Sequence, residues 1–528
     1  MMKLLRITVL SLPALCLALL AAGQAPVRDY RYALETSGPW LQSGNAAALS
    51  VLGNEAFSVA ALSFSKDNGA LVPLDASEDC WTAGASTESY RRVSGKLVFS
   101  GRLGYSYFRG QNMGAQILKD PLYNPVNFLE ADLSTTGVKM QEDYAMGGGV
   151  SWSPSERWSA GCLMDYDASD RTKHKDPRSR TVWMDFRSSP GVYFRPSEKL
   201  SFGANIIFRH TIEQLKAQLF GTVDREYSIL VDQGAFYGFT ERFEGDAGYV
   251  SAQNDRPMTN DFAGLSLQMR TGAFYNQLTA LWRMGSYGRR NSSSVVFCEF
   301  RGPELSYKGD LRLHSGGNSH ILNLDASWKG LSNYTNSYSY FVEEGMDARV
   351  EYHGSNLSLS RNDLSAQLDY IFYGGEGGYL PDWVLEASAD VFLRSQTTTF
   401  YPNYRNQQWL QAGTALSLER NLNISGGCLS LSAGVLFRAG GGTAADDGAT
   451  AQGTSKLKSF DEYLYTQFEY DTAMRAGAGL SVTYTWLKPE RCTPYIKISD
   501  DFRSLLKAPS YLGGSLRNTA LVSVGVNF

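Results

Sequence analysis

The stretch LVSVGVNF (521–528) alternates apolar with small or polar side chains and stops on an aromatic ring. With Ala520 included, Val522, Val524, Val526 and Phe528 share one face, and Leu521, Ser523, Gly525 and Asn527 share the other. A period of two is that of a strand, and a wholly apolar face must meet something apolar. Ends of soluble domains usually fray into polar residues. This end reads as a strand that faces lipid.

The pattern recurs upstream. LVFSGRLGYSY (97–107) sets Leu97, Phe99, Leu103, Tyr105 and Tyr107 against Ser100, Arg102, Gly104 and Ser106. WSAGCLMDYD (158–167) and LSFGANIIFR (200–209) repeat it, as do 321–329, 364–372, 429–438 and 476–486. Each run is about ten residues, the length of a tilted strand crossing a bilayer. The polar faces carry Arg102, Asp165, Asp167, Arg209, Asp325, Asp369 and Arg438 in mid-strand. Alternation alone also suits a soluble sandwich. Three features favour the membrane: aromatics near strand ends (Trp158, Trp282, Trp328, Trp486), alternating tight turns and long polar loops, and a secretory leader.

The leader is 1–23. Lys3 and Arg6 precede the apolar ITVLSLPALCLALLA (7–21), and Ala21 and Gly23 fit cleavage before Gln24. No other stretch approaches the roughly 20 apolar residues of a spanning helix. Charged residues are 19% of the 528, below the roughly 25% of soluble domains. Tyr (30), Phe (26) and Gly (52) are abundant, and mean hydropathy is only −0.26, as a polar lumen would require. A net charge of −4 does not point to nucleic acid.

These readings predict an all-β, antiparallel, up-and-down transmembrane barrel of about 14–20 strands over 51–528, after a short periplasmic segment (24–50). Periplasmic turns are expected at 94–96, 154–157, 196–199, 270–272, 360–363 and 471–474. Long external loops are expected at 109–141, 168–181, 210–259 and 439–459. The up–down parity slips once between 373 and 440, so one hairpin there is misread. Val522, Val524, Val526 and Phe528 resemble the C-terminal assembly signal of bacterial outer-membrane proteins. They imply outer-membrane lipid, lipopolysaccharide and the barrel-assembly machinery as partners, with an envelope lipoprotein as a further candidate.

GPWLQSGNAAALS (38–50), YRRVSGKLVFSGRLGYSYFRG (90–110), KDPRSR (175–180) and SSPGVYFRPSEKLSFGANI (188–206) carry a wider resemblance. On them the chain is similar to a family of uncharacterised outer-membrane β-barrels of Bacteroidota. The resemblance implies fold and compartment but no reaction. The segment around Asn45 is distantly similar to part of the long-chain fatty-acid transporters, over too short a stretch to carry residues across.

Active import driven by TonB requires an N-terminal plug of roughly a hundred residues inside the barrel. Strand pattern here begins near Ala56, so no such plug is expected. The function expected is a passive or substrate-gated channel for small solutes or apolar molecules. The alternative is a non-conducting surface barrel whose loops (109–141 and 210–259) bind a protein or glycan. The mid-strand charges read equally as a selectivity lining or as wall-to-wall salt bridges. Asp176-Pro177-Arg178 reads either as a loop folded by an Asp176–Arg178 contact or as a plain turn.

Catalysis, a cofactor and a metal site are not expected. No G-x-S-x-G, HExxH or phosphate-cradling loop occurs, and Cys80, Cys162, Cys298, Cys428 and Cys492 are scattered. The less favoured enzymatic reading is a barrel-wall lipid hydrolase. YHGSN (352–356) places His353 two residues before Ser355, and YTQF (465–468) is similar to a motif of outer-membrane phospholipases. The order of the two elements is reversed here, and Leu357 stands where those enzymes have Gly.

Overall fold

The computed structural model describes residues 28–53, 56–119, 121, 123–218, 226–243, 256–289, 295–341, 349–375, 378–452, 458–487 and 492–528. The leader at 1–23 and its cleavage site lie outside the described residues.

Eighteen antiparallel strands form one closed wall, within the range the alternation predicts. Closure is made by the terminal strand. Leu516–Asn527 pairs antiparallel with the first strand, Ala56–Asn68, from Val59↔Asn527 to Asn68↔Asn518. The Phe528 N–H donates to Ser58 O at 3.0 Å, so hydrogen bonding continues to the last residue. No backbone edge is left open, as the hydrocarbon layer requires.

Faces follow the predicted parity. Phe202, Ile206 and Phe208 are exposed on the outside, whereas Ser201 and Asn205 are buried inside. On Trp158–Lys173 the outward set is free of charge from Trp158 to Ala168. It then reaches Asp170, which pairs with Arg180 at 2.6 Å. Ten to eleven tilted residues give an apolar band about 25 Å tall. Outward His210–Asp261 and Lys66–Asp79 pairs lie beyond it, at the same end as Asp170.

Turns near 95, 155, 198 and 272 are tight and lie at the end that carries both Ala56 and Asn527, the periplasmic end. Two predicted turns are corrected. Residues 360–363 lie in the middle of a 26-residue strand, Arg349–Gly374. Its turn-like composition arises because Arg361 and Asp363 face a charged lumen. That restores the parity that slipped after 373. Residues 471–474 end a helix, Asp461–Thr472, at the opposite, external side. The loop expected at 168–181 shrinks to 174–177, and that at 439–459 starts only after Ala449, because the strands overshoot the bilayer.

Deleting Phe528 removes both the last closing hydrogen bond and the end of the outward apolar row. The expected result is a loss of heat-modifiable, folded barrel from the membrane fraction, with Asn527 retained. Undiminished assembly would contradict the role assigned to the terminal ring.

Candidate functional site

The lumen is closed by two bodies built from segments that carry no barrel period. The first is the segment expected to hang in the periplasm. Residues 29–52 fold into a short helix, Tyr30–Thr36, and two 3-10 turns, Pro39–Gln42 and Ala46–Val51, laid along the inner wall. Asn45 caps the second turn by accepting from Ala47 N, and its Nδ2 donates to Val192 O and to Gln268 Oε1. Ser151 Oγ donates to Ala47 O at 2.9 Å. Ala47 and Ala48 are fully buried. Close approach explains two wall glycines. A Cβ on Gly161 would stand 2.5 Å from Ala47 N, and one on Gly191 would stand 2.3 Å from Asn45 Oδ1. Trp40 anchors this strap edge-on between Tyr193 and Tyr275, at 4.9 and 5.0 Å between ring centroids.

The helical end of the strap crosses to the far wall. Arg31 bonds Glu386, Glu35 accepts from Tyr373 OH, and Arg312 donates to Glu35 O. The Tyr30 N–H reaches Asn527 Oδ1 on the closing strand at 3.3 Å. The strap therefore spans the periplasmic mouth.

The second body comes from external loops. Four short strands, Asn127–Glu130, Tyr227–Asp232, Tyr237–Phe243 and Lys458–Ser459, form a separate sheet. Ile117, Leu118, Val126, Phe128, Ile229 and Val231 pack onto the inward faces of Met258, Tyr287, Cys298, Phe300 and Leu331. At about 25 cal/mol per Å² of apolar surface buried, such a cluster holds the loops inside the wall. Buried Lys173 pairs with buried Glu130, and Tyr463 OH ties the helix Asp461–Thr472 to Glu130 O at 2.6 Å.

Two buried carboxyls sit between this body and the wall. Asp232 accepts from Gly234 N and Tyr237 N and faces Arg405. Asp471 is bonded by Gln467 and faces Arg394, Arg475 and Asp75. Burial pushes each up to about 6. A folded-state value raised above the ordinary 3.8 means that the docked body is favoured by protonation. That contribution is complete below about pH 4 and lost as pH rises through about 6. Protease cleavage within the loop body should therefore be slower at pH 5 than at pH 7.5. The difference should shrink in Asp232→Asn/Asp471→Asn protein; faster cleavage at pH 5 would contradict this direction of the linkage.

Part of the inner wall formed by the strands from Arg349–Gly374 to Thr493–Leu505 lines an open sector. It is a cavity of about 470 Å³ lined by Ser388, Ser417, Ser432, Ser481 and Ser499, with Asp369, Asp501 and Lys497. The serines share this lining with charged side chains of both signs, Arg31 and Glu386 of the strap contact among them.

The mid-strand charges named from sequence all lie on the inner wall, paired with neighbours. Arg102 bonds Asp165 at 2.9 Å and Asp167 at 3.1 Å, which unites three of them. Arg209 forks onto Asp185, Arg438 bonds Asp390, and Asp325 pairs with Lys308. Asp369 accepts from Gln367 and lines the open sector. Arg178 Nε meets Asp176 Oδ1 at 3.2 Å, the contact that one reading of the loop motif expects. His353 contacts Ser339 Oγ across the hairpin, on the external overhang of its strand, whereas YTQF lies on the helix 461–472. The two halves of the hydrolase motif are thus on separate elements. Among the described residues the five cysteines, Cys80, Cys162, Cys298, Cys428 and Cys492, form no disulfide.

Sequence reasoning missed Trp40, Asn45, Arg283, Arg361 and Arg394. GPWLQSGNAAALS held the only signal for the strap: a Trp, an Asn cap and an alanine run too apolar for a solvated linker.

A family model described as a family of unknown function (DUF6850) matches residues 46–528. The chain belongs to that family. No curated protein matches it. Among solved structures, it is similar to the ferric preacinetobactin receptor BauA of Acinetobacter baumannii at 9% identity and a TM-score of 0.38, covering 90% of this chain and 80% of that one. The outer membrane transporter YddB of Escherichia coli gives 8% and 0.38, over 89% and 80%. The FrpB iron transporter of Neisseria meningitidis gives 9% and 0.38, over 92% and 82%. No residue or role is carried across from them.

Proposed function

We propose that this protein is a gated passage for small hydrophilic solutes across the bacterial outer membrane. The observation that carries the reading is the serine-lined sector beside two closures made from the chain's own strap and loops. Wide barrels with polar inner faces suit diffusion of polar solutes. An apolar cargo is disfavoured because inward apolar residues, Met258, Phe300 and Leu331 among them, are covered by the loop body. Outer-membrane lipid and lipopolysaccharide would meet the outward band, and the assembly machinery would receive the terminal strand.

Liposome swelling tests this. Wild-type protein should admit a monosaccharide slowly, and protein lacking residues 29–45 should admit it faster. Impermeable liposomes with both proteins correctly folded would refute a passage.

A second reading has its own observation. Hairpins built from Asn318–Phe341 with Arg349–Gly374 and from Trp383–Phe400 with Asn403–Ile424 overshoot the bilayer and leave Tyr340, Phe341 and Tyr401 exposed. A silent barrel retained on a glycan or envelope-protein resin, with retention lost in Tyr340→Ser/Phe341→Ser, would favour a surface receptor.

A further inference from the structure

One strand of the open sector carries charges that its neighbours on the wall do not neutralise. Thr493–Leu505 turns Lys497, Ser499, Asp501 and Arg503 to the lumen, while Ile498 and Phe502 are exposed on the outer face. Among the described residues, Lys497, Asp501 and Arg503 make no ion pair and no side-chain hydrogen bond. Elsewhere the lumen pairs such charges: Arg102 with Asp165, Arg209 with Asp185, Arg438 with Asp390, and Arg517 with Asp67. Spacing along the strand does not explain the difference. Asp310 and Arg312 also stand two residues apart on one strand, as Asp501 and Arg503 do, and they bond at 2.8 Å.

The neighbouring strand, Arg475–Trp486, supplies the cause. Gly479 stands directly opposite Asp501, and Gly477 directly opposite Arg503. The Asp501 carboxylate lies across Gly479, where an added Cβ would stand 2.3 Å from Oδ1. The Arg503 stem lies across Gly477, with Cγ 3.2 Å from where a Cβ would be. Asp310 and Arg312 have Asn323 and Ile321 opposite them, and there the two side chains turn to each other. The two glycines thus seat a carboxylate and a guanidinium side by side and apart. Asp501, Gly477 and Gly479 line the cavity of about 470 Å³, together with Ser481 and Ser499. An ionised partner would give each of the two charged groups hydrogen bonds roughly twice as strong as a neutral one does.

We propose that Asp501 and Arg503 bind a free α-amino acid. Its ammonium donates to the Asp501 carboxylate, and its carboxylate accepts the paired N–H groups of the Arg503 guanidinium, whose planar fork matches it. A single carbon joins the two charged groups of the ligand. That span fits between side chains two residues apart on one strand face, about 6.6 Å from Cα to Cα. The ligand side chain extends into the cavity towards Ser481, Ser499 and Lys497, which favours a small polar one. A simple anion would face the like charge of Asp501, and a simple cation that of Arg503, so neither is preferred. The assignment rests on the reading of the protein as a gated passage, and it names the solute class.

The test is binding of L-serine to the full chain in detergent, titrated by saturation-transfer NMR. No flux enters this measurement, so an absent passage and an absent site give different results. L-serine should bind the wild type, and Asp501→Asn and Arg503→Gln should each weaken it about tenfold. Gly479→Ala keeps every charge but puts a methyl group where the carboxylate lies, so it should weaken binding as well. L-serinamide keeps only the ammonium and N-acetyl-L-serine only the carboxylate; each should bind about tenfold less tightly than L-serine. Heat-modifiable migration identifies variants that have kept the barrel, and the comparison uses only those; Gly479→Ala serves if Asp501→Asn does not fold. No binding of L-serine to folded wild-type protein would overturn the proposal. So would equal affinity for either blocked serine, or L-serine affinity indifferent to both Asp501 and Arg503.

Discussion

Val482→Arg is expected to destabilise the barrel by about 2–4 kcal/mol, whereas Ser481→Arg one residue away is tolerated. Val482 is exposed on the outer face, paired with Ile498 and Leu431, whose side chains also face lipid. A guanidinium there must be dragged to the interface or left in hydrocarbon. Ser481 faces the open sector, a cavity that the Asp501 carboxylate also lines. Unfolding titrations in lipid vesicles provide the comparison. Equal losses at the two positions would contradict the assignment of one face to lipid and the other to the lumen. Not every inward serine is equivalent: Ser201 is buried beside the strap, so arginine there should also be costly.

Trp40→Ala should release the strap. Trp40 is 2% exposed and wedged between two tyrosine rings, and truncating a buried Trp typically costs about 3–5 kcal/mol. The strap's remaining ties are an Asn-centred hydrogen-bond cluster on one wall and the Arg31, Glu35 and Tyr30 contacts on the other. Each typical hydrogen bond contributes only about 0.5–1.5 kcal/mol net. Loss of the anchor therefore shifts the strap towards the undocked state without unfolding the wall. Protease added on the periplasmic side should cut within 29–52 faster than in wild type, at unchanged heat-modifiable migration. An equally resistant strap would show that Trp40 is not its anchor.

The wall was legible in the sequence because a lipid-facing strand repeats every two residues whatever surrounds it. The terminal run 520–528, the face of 200–209 and the tight turns near 95, 155, 198 and 272 all followed from that local rule. The closures were not legible, because their partners are remote in the chain. Tyr123 is set by Arg283, Arg361 and Glu304, and Asn45 by Gln268 and the carbonyl of Val192. Ser360-Arg361-Asn362-Asp363 misled for a physical reason. Residues that favour turns in water are the same ones that a charged lumen demands in mid-strand, and only the pairing of Arg394 with Asp363 distinguishes the two cases. The lumen charges were found, but their partners Asp185 and Asp390 lay in stretches whose alternation had not been read.

Planar-bilayer recording of wild type, Trp40→Ala and Tyr123→Ala tests the central claim most directly. If the lumen is a hydrophilic passage shut by strap and loop body, wild type gives small, infrequent openings. Either substitution then raises the open probability, and the two together raise it further. A folded barrel that stays electrically silent in all four forms would contradict the account.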